Sequence, residues 1–598
     1  MGLAEEKTSD RGQWGNQMEF ILACIGYAVG LGNVWRFPYL AYENGGGIFL
    51  IPYAISLIIA GLPVFYMELC IGQFTSLGPN CVYGKLAPVF QGVGWAMVVV
   101  SFVVSIYYNV IIGWVSLYFF ASFRKDLLWS SCREDWNTVY CQSNLEVQRS
   151  VVGGSFCCIE NNHLSNYVYE LQETDGFSDL GGLQWKIVLS LIFAWIVIFL
   201  CLIKGVQSTG KVVYFTATFP YVVLVILLIR GVTLTGAGEG IHFYITPNFS
   251  KLVEIDVWRN AATQIFYSLG PAFGGLLTMA SYNKFHNNCY RDAVIVAFTN
   301  CGTSVFAGFA IFSTMGFMAQ DLGKNVSEVV KSGPSLAFIA YPEAISRMPL
   351  SPLWALLFFF MLFTLGLDSQ FAMVETVTTA FMDQFPILRK RKWAVVLTCC
   401  FVMCVLALPM CTKGGIYVFS IFDKYSGSFC LIVIAFLELV CICHIYGVRR
   451  IFKDISMMMG VTTTYIGSLI GPTGWYFKVT WFAIAPIYVL GILIFSFVDT
   501  SRTKYNNYTF PKTADAFGWA LGSVPLLAIP ICALVQFALN RARKQPLMDL
   551  LRATYEWCPA EEREKRKEQE QAVSMGQHIK QVLPSYNNQG FTQDNMKY

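Results

Sequence analysis

Residues 26–38 place helix-disrupting and polar residues inside an otherwise apolar stretch of the chain. The segment reads Gly26-Tyr-Ala-Val-Gly30-Leu-Gly32-Asn33-Val-Trp-Arg36-Phe-Pro38. Glycine is costly in a helix interior, and proline removes a backbone donor and disrupts the turn. A kinked helix packed through small residues is one interpretation. The interpretation we favour is an unwound segment whose free carbonyl and amide groups face a cavity within a membrane.

A second segment, far along the chain, repeats this pattern. It reads Gln264-Ile-Phe-Tyr267-Ser268-Leu-Gly270-Pro271-Ala-Phe273-Gly274-Gly275 and again places glycine and proline beside hydroxyl groups. The two segments match as the first helices of two five-helix halves. Paired broken helices in corresponding positions indicate a substrate site near the midplane of a transporter built from inverted repeats.

Asp368 is the next residue whose type suggests chemistry. It follows the apolar run Phe358-Phe-Phe-Met-Leu-Phe-Thr-Leu-Gly-Leu367 and precedes Ser369. A carboxylate at that depth in a membrane indicates a functional site, and a hard cation is the expected partner. A structural ion pair with a lysine is the alternative, but no neighbouring apolar run contains that lysine.

The elements that must position these residues are long apolar runs. Of the 598 residues, 55% are apolar and 13% are charged, and the mean hydropathy is +0.50. Lipid offers no partners for free backbone groups, so spans of roughly 20 residues are expected to be helices. We therefore predict an all-α membrane protein with twelve transmembrane helices, centred near residues 30, 58, 105, 195, 224, 272, 305, 365, 401, 430, 485 and 527.

Twelve spans place both termini on one side of the membrane, and basic residues weakly favour the cytosol. Arg541, Arg543 and Lys544 directly follow the last span. The glycosylation motifs all fall in loops predicted to be extracellular, at Asn248, Asn325 and Asn507. The long loop after the third span contains Cys132 and Cys141, which an oxidising exterior would allow to pair. Cys157 and Cys158 share that loop and compete for the bridge.

Three regions follow from this topology. Residues 1–17 form a cytosolic N-terminal segment, residues 18–540 a transporter domain with a long extracellular loop at 122–184, and residues 541–598 a cytosolic tail. We expect a multi-pass plasma-membrane protein without a cleaved signal. The chain lacks a phosphate-binding Gly-x-x-x-x-Gly-Lys-Ser/Thr motif, so ATP-driven transport is not expected. Its five histidines form no catalytic or metal cluster, and neither enzymatic activity nor nucleic-acid binding is expected.

Four motifs of this chain resemble the neurotransmitter:sodium symporter family. They are Asn33-Val-Trp-Arg-Phe-Pro-Tyr39, Glu43-Asn-Gly-Gly-Gly47, Tyr282-Asn-Lys-Phe285 and Leu367-Asp-Ser369. The resemblance extends from about Arg11 to Asn540. It implies a five-plus-five inverted repeat of twelve helices, with helices 1 and 6 broken, and transport by alternating access.

The resemblance also implies two sodium sites and one chloride site. One sodium site would use the Ala28 carbonyl with Asn33, Ser268 and Asn300, and the other the carbonyls of Gly26, Val29 and Leu365 with Asp368 and Ser369. Chloride would bind Tyr53, Gln264, Ser268, Asn300 and Ser304. Relatives that do not need chloride have an acidic residue at the position of Ser304, so a serine there predicts that Na⁺ and Cl⁻ are both co-transported.

The same resemblance implies two gates. Arg36 and Asp423 would form an outer ion pair, with Tyr108 and Tyr267 closing over the substrate. Arg11, Tyr282 and Asp383 would form an inner latch, next to Trp14. For Arg11 and Asp383, ordinary surface charges are a serious alternative.

Gly30 determines which class of substrate we expect. Monoamine carriers of the family have aspartate at this position, whereas glycine leaves room for a substrate carboxylate near backbone amides and sodium. The predicted walls of the substrate site are Val29, Gly30, Gly32, Tyr108, Tyr267, Gly270, Phe273 and Ser369. Residues 279–292 resemble glycine carriers and the broad neutral-and-cationic amino acid carrier, although glycine carriers have tryptophan where this chain has Phe273.

We therefore predict a sodium- and chloride-coupled symporter for small neutral amino acids such as glycine and alanine. A GABA-like, betaine-like or monoamine carrier is an alternative within the family. Outside transport, a transport-deficient amino acid sensor and an ion channel remain alternatives. The retained ion-binding residues Asn33, Asn300 and Asp368 argue against the sensor. The sequence has two matched broken helices rather than repeated pore loops, which argues against an ion channel.

Overall fold

The structure is a computed structural model, and it describes residues 12–129, 167–174, 176–329, 336–427, 429–461, 464–498, 502–505, 508–563 and 565. Several predicted residues lie outside these ranges: Arg11, Cys132, Cys141, Cys157, Cys158 and Asn507. The inner latch, the disulfide and the third glycosylation site therefore stay predictions in part or in full.

Helices dominate the described residues. Up to the second broken segment they are α1 (Gln17–Ala28), α2 (Leu31–Val34), α3 (Arg36–Glu43), α4 (Leu50–Ser56), α5 (Leu62–Thr75), α6 (Pro79–Leu86), α7 (Gln91–Ala121), α8 (Trp185–Leu202), α9 (Val206–Thr216), α10 (Phe219–Val232), α11 (Ala237–Ile245), α12 (Ile255–Leu269) and α13 (Gly275–Ala280). The remaining helices are α14 (Cys289–Leu322), α15 (Val326–Val329), α16 (Tyr341–Ser346), α17 (Ser351–Gln384), α18 (Lys392–Ala407), α19 (Gly415–Tyr425), α20 (Phe429–Leu439), α21 (Val448–Met459), α22 (Tyr465–Ile470), α23 (Trp475–Val479), α24 (Ala485–Val498) and α25 (Lys512–Ala542).

Shorter elements connect or extend these helices. The 3₁₀ turns are Gly47–Phe49, Pro88–Phe90, Leu171–Glu173, Phe249–Val253, Pro386–Arg391, Leu408–Cys411 and Leu547–Leu551, and the π-helical segments are Leu57–Gly61, Leu336–Ala340, Val440–Gly447 and Thr480–Ile484. One antiparallel hairpin pairs β1 (Lys504–Tyr505) with β2 (Tyr508–Thr509), with Lys504 opposite Thr509.

The all-α membrane fold predicted from the sequence is confirmed. Within the described residues, ten helices are long and apolar enough to cross a membrane. The pair Gln17–Ala28 and Leu31–Glu43, bent by 58°, makes eleven if it is a single span. The broken pair α12 and α13 lies where the sequence predicts a further span, but the total of twelve stays a prediction.

Two helices lie at the centre of the bundle, and another lies at its edge. In the most apolar window of Pro88–Ala121, 89% of the residues are buried, and the corresponding value for Ser351–Gln384 is 83%. In Lys512–Ala542 it is only 11%, and large apolar side chains such as Leu534 are exposed. An apolar helix surface without protein neighbours is expected to face lipid. The two central helices can therefore carry buried functional side chains.

The breaks in the two discontinuous spans meet in the middle of the bundle. The Tyr27 hydroxyl on α1 donates a hydrogen bond of 2.9 Å to the Gly270 carbonyl, which follows α12. Gly270 has φ +69° and Ala272 has φ +66°, so the chain cannot continue as a right-handed helix there. The buried Glu68 carboxylate accepts a hydrogen bond from the freed Ala272 N–H at 2.5 Å. Both breaks therefore expose backbone groups to the same central region.

The described part of the C-terminal tail packs against the helix bundle. Lys85 and Glu556 form an ion pair of 2.7 Å, and the Arg563 guanidinium donates to the Thr75 carbonyl at 2.8 Å. Trp557 donates to the Tyr446 hydroxyl at 2.9 Å. The sequence predicts a cytosolic tail from residue 541, and the described part of this tail contacts the bundle up to Arg563.

Candidate functional site

The break between α1 and α2 forms one wall of a central cavity. Val29 ends the hydrogen bonding of α1, and the Asn33 side chain accepts a hydrogen bond of 3.1 Å from the Gly30 N–H. The first amides of a helix have no partner within it, and here the Leu31 N–H donates to the Tyr108 hydroxyl at 3.4 Å. Residues from several helices line the cavity: Tyr27, Ala28, Gly30, Gly32, Asn33, Val104, Tyr108, Tyr267, Ser268, Gly270, Phe273, Ser369 and Met373.

The structure brings together nearly all the substrate-binding residues that the sequence predicts. Among the described residues, Val29 is the only predicted wall residue that does not line this cavity. Val104 and Met373 line it but were not predicted. Each lies four residues from a predicted wall residue on the same helix, Tyr108 and Ser369 respectively. Residues with this spacing share one helix face, so the spacing alone could have identified them.

A buried polar cluster joins both broken segments to α14. The Asn33 amide donates to Asn300 Oδ1 at 2.7 Å and to Ser304 Oγ at 2.8 Å. It also donates to Ser268 Oγ at 3.2 Å, and Ser268 Oγ donates to Asn300 Oδ1 at 3.0 Å. Oxygen atoms that converge on one point suit a hard cation. In this structure the Asn33 amide nitrogen lies at that point, and the assignment of these side chains to the first sodium stays a prediction.

Unpartnered polar atoms lie next to this cluster. Both side-chain polar atoms of Gln264 and the Tyr53 hydroxyl are buried without a hydrogen-bond partner among the described residues. The Tyr53 hydroxyl faces Ser304 and Ser268, but no hydrogen bond within 3.5 Å joins them. A buried donor without a partner costs about 1–3 kcal/mol, which an anion between these donors would offset. The Tyr53 hydroxyl thus lies near those of Ser304 and Ser268, and the assignment of this set to chloride stays a prediction.

The second predicted sodium site centres on Asp368. Its Oδ1 accepts a hydrogen bond of 2.5 Å from Thr216 Oγ1, while its buried Oδ2 has no partner among the described residues. Oδ2 lies so close to α1 that a Cβ on Gly26 would be 2.5 Å away. Ser369 Oγ donates to the Tyr27 carbonyl at 3.2 Å. The carboxylate, the hydroxyl and the end of α1 therefore meet at one place.

The remaining predicted ligands of this second site are main-chain carbonyls. Val29 and Leu365 are buried, with 2% and 3% of their surface exposed, next to the break of α1 and on α17 respectively. Thr216 is a partner of Asp368 that the sequence did not reveal, because a single threonine in an apolar helix commonly bonds its own backbone.

The predicted outer gate is not closed by a direct ion pair. Among the described residues, Arg36 and Asp423 have no charged atoms within 4 Å of each other. The Arg36 guanidinium instead lies 4.3 Å from the centroid of the Tyr267 ring, a cation–π arrangement. The Tyr267 hydroxyl lies 3.1 Å from that of Tyr107. Arg36 thus contacts a predicted gate residue, and its pairing with Asp423 stays a prediction.

The other end of the site is covered by the N-terminal segment. The Trp14 indole donates to the Met279 carbonyl at 2.9 Å, and its backbone N–H donates to the Tyr282 carbonyl. Asp383 accepts from the Gly78 N–H at 2.7 Å and from Arg389 at 3.0 Å. Asp383 is thus paired with Arg389, and the inner latch of Arg11, Tyr282 and Asp383 stays a prediction.

Three buried glutamates in the membrane-spanning helices escaped the sequence analysis. Glu68 binds the break after α12, Glu438 is buried on α20, and Glu375 lies two turns beyond Asp368. Each is a lone acidic residue in an apolar run, which was a detectable signal. The predicted glycosylation residues Asn248 and Asn325 are both exposed.

Comparison with known proteins identifies the family to which this architecture belongs. Residues 11–540 match the model of the Sodium:neurotransmitter symporter family. The sodium- and chloride-dependent glycine transporter 1 of Xenopus laevis is 43% identical over 579 residues, which cover 93% of this chain and 89% of the relative. The sodium- and chloride-dependent neutral and basic amino acid transporter B(0+) of Homo sapiens is 44% identical over 588 residues, with 93% and 90% covered. The sodium- and chloride-dependent GABA transporter 2 of Macaca fascicularis is 43% identical over 571 residues, with 93% and 91% covered. The chain belongs to the sodium:neurotransmitter symporter family.

Proposed function

We propose that this protein imports small neutral amino acids across the plasma membrane, together with Na⁺ and Cl⁻, by alternating access. The observation that carries the proposal is that residue 30 is a glycine and that its surroundings leave little space for a side chain. A Cβ at this position would lie 2.7 Å from Ser369 Oγ and 3.1 Å from the Tyr108 hydroxyl. These short distances disfavour the acidic side chain that monoamine carriers have at this position, which supports a substrate that carries its own carboxylate.

The substrate carboxylate is proposed to bind at the start of α2. The Tyr108 hydroxyl lies 3.4 Å from the Leu31 N–H and can donate its own proton to a carboxylate. The amides of Leu31 and Gly32 and the adjacent sodium site add positive potential there. The side chain of the substrate would then point toward the apolar residues Val104, Phe273 and Met373. This arrangement suits an α-amino acid with a small side chain.

The proposal assigns binding residues to each of the two co-transported ions. Within the described ranges, one Asp368 oxygen and the polar groups of Tyr53 and Gln264 lack a hydrogen-bond partner; the first supports Na⁺ and the other two support Cl⁻. The oxygen cluster around Asn33 also supports Na⁺. The relatives compared above are described as sodium- and chloride-dependent. We extend to this chain their ion dependence, a plasma-membrane location with both termini in the cytosol, and transport without chemical change of the substrate.

The experiment that tests this proposal is uptake of radiolabelled compounds in cells that express the full chain. The panel contains glycine, alanine, larger neutral and cationic amino acids, GABA, betaine and monoamines. Sodium and chloride are replaced one at a time by choline and gluconate. Saturable uptake of glycine or alanine that requires both ions is expected. Accumulation of a monoamine but of no amino acid would show that the inference from Gly30 is wrong.

Ser304→Glu is expected to make transport independent of chloride. A fixed carboxylate would supply the negative charge that chloride otherwise provides beside Asn33 and Ser268. Uptake in gluconate should rise about fivefold or more above that of the unchanged protein, the size expected for one compensated charge. The neutral variant Ser304→Gln is the control and should remain chloride-dependent. Equal chloride dependence of both variants would show that Ser304 is not part of the chloride site.

Phe273→Trp is expected to narrow the substrate range toward glycine. Phe273 lines the cavity and is 4% exposed, so a larger ring must take space from the substrate side chain. Uptake of alanine relative to glycine should fall about tenfold, the effect of one methyl group in a tight pocket. Phe273→Leu is the matched variant that should preserve or widen the range. If the ratio of alanine uptake to glycine uptake were unchanged in Phe273→Trp, the substrate side chain would not lie next to Phe273.

A further inference from the structure

A second cavity lies beyond Asp368, on the side of the site that Trp14 covers. Apolar side chains including Val206, Val213 and Phe371 form much of its wall. The exceptions include two carboxylates, Asp368 and Glu375, that face the same space. The cavity therefore leads from the proposed second sodium site toward the predicted cytosolic end of the bundle.

The two carboxylates lie on one face of α17. They are separated by seven residues, which corresponds to about two helical turns and about 10 Å. Asp368 and Glu375 are 4% and 5% exposed, and each has one buried oxygen without a hydrogen-bond partner among the described residues. Two such oxygens on the wall of an otherwise largely apolar cavity are available to a cation.

A basic side chain already holds the other oxygen of Glu375. Lys392 Nζ donates to Glu375 Oε1 at 2.7 Å, and the Tyr282 hydroxyl donates to the same oxygen at 3.1 Å. The Lys392 side chain is 21% exposed and that of Glu375 is 7% exposed, so the lysine is the more solvent-accessible partner of this ion pair. It also packs against Gly205 so closely that no side chain would fit there.

We infer that Glu375 is a transient sodium site on the release path from Asp368 to the cytosol, and that Lys392 occupies it between passages. The inference rests on the proposed function, because it assumes that Asp368 binds Na⁺. Sodium arriving at Glu375 displaces the ammonium, and the ammonium returns when sodium leaves. The carboxylate is thus never buried without a positive partner, a state that would be strongly unfavourable.

A single step across the apolar part of the cavity would require sodium to lose the Asp368 carboxylate before it reached water. A second carboxylate two turns away divides that step in two. Conduction along such a path requires sites that bind strongly enough to admit the ion and weakly enough to release it. The competing Lys392 ammonium weakens sodium binding at Glu375 in this way, which favours release.

Inside-out patches from cells that express the full chain test this inference. The reverse transport current is recorded against cytosolic Na⁺, with chloride and the best substrate of the uptake panel at saturation. Glu375→Gln should raise the half-saturating cytosolic Na⁺ concentration about fivefold, the effect of losing one partly screened charge pair. Lys392→Gln should lower it by a similar factor, because the competing ammonium is gone. The half-saturating extracellular Na⁺ for uptake should change less than about twofold in both.

The two variants are expected to shift the half-saturating cytosolic Na⁺ concentration in opposite directions. This difference distinguishes a sodium site from an ion pair that only holds the gate closed. Both substitutions break the same ion pair, so a latch alone predicts shifts in the same direction for Glu375→Gln and Lys392→Gln. That result, or the absence of any shift, would overturn the inference. The double variant should resemble Glu375→Gln, since Lys392 acts through that carboxylate.

Two controls keep the outcome interpretable. Glu254→Gln removes a carboxylate from an exposed ion pair with Lys251, distant from the cavity, and should leave the cytosolic Na⁺ dependence unchanged. Surface biotinylation corrects the currents for expression, and Lys392→Gln keeps the inference testable if Glu375→Gln does not reach the surface. If the unchanged protein carries no sodium-dependent current at all, the proposed function fails, whereas a normal current without the opposed shifts rejects Glu375 alone.

Discussion

Replacing Asp368 by asparagine is expected to abolish sodium-coupled uptake. Asparagine has the size of aspartate but no charge. The Oδ2 atom that it replaces is buried beside Gly26 and has no hydrogen-bond partner among the described residues. A charge pair at about 4 Å is worth about 4 kcal/mol at an effective dielectric constant of 20. The half-saturating Na⁺ concentration should therefore rise by more than about a hundredfold, which removes uptake at physiological sodium. Uptake is measured against external Na⁺ and normalised to surface protein.

Thr216→Val is the matched control for this substitution. It removes the 2.5 Å hydrogen bond to Asp368 Oδ1 but leaves the carboxylate and its charge in place. The loss of one hydrogen bond to a charged group costs about 1.5–3 kcal/mol at most, so sodium dependence should weaken but persist. Normal sodium dependence in Asp368→Asn would show that the second sodium site is not at α17.

Gly30→Ala is expected to cause the second large loss of uptake. The added methyl group would lie 2.7 Å from Ser369 Oγ and 3.1 Å from the Tyr108 hydroxyl. Ser369 Oγ also bonds the Tyr27 carbonyl, so it cannot move away without losing that contact. Overpacking of this kind costs about 1–3 kcal/mol and should lower uptake at least about fivefold. Initial rates across a range of glycine and alanine concentrations provide the measurement.

A neighbouring glycine gives an internal control. A Cβ at Gly32 would lie 3.6 Å from the Tyr267 ring, an ordinary contact distance. Gly32→Ala should therefore retain most of the uptake, although both positions line the same cavity. If Gly32→Ala were as damaging as Gly30→Ala, backbone flexibility rather than space at Gly30 would explain both results, and the argument against a monoamine substrate would lose its basis.

The sequence was most informative where one residue contradicts its surroundings. Gly30, Pro271 and Asp368 stand out in apolar runs, and each lies at a break or an unpartnered polar group in the structure. Such conflicts can be seen locally, because lipid and the regular helix set clear expectations. The broken first and sixth segments and the central polar cluster could therefore be predicted before any coordinates.

The residues that escaped the sequence analysis depend on contacts between distant segments. Thr216 bonds Asp368 across 152 positions of the chain, and Arg563 reaches the Thr75 carbonyl across 488. No local pattern marks such partners, because their significance arises only when two helices pack together. Met373 is different, since its helical spacing from Ser369 placed it on the site face and could have been used.

The contact between Glu68 and the Ala272 N–H has a thermodynamic consequence. With the left-handed conformations at Gly270 and Ala272, it fixes the break after α12 in one shape before any substrate arrives. A wall that is already ordered loses little conformational entropy on binding. More of the free energy of the substrate contacts then contributes to binding, because little of it is offset by the ordering of this wall.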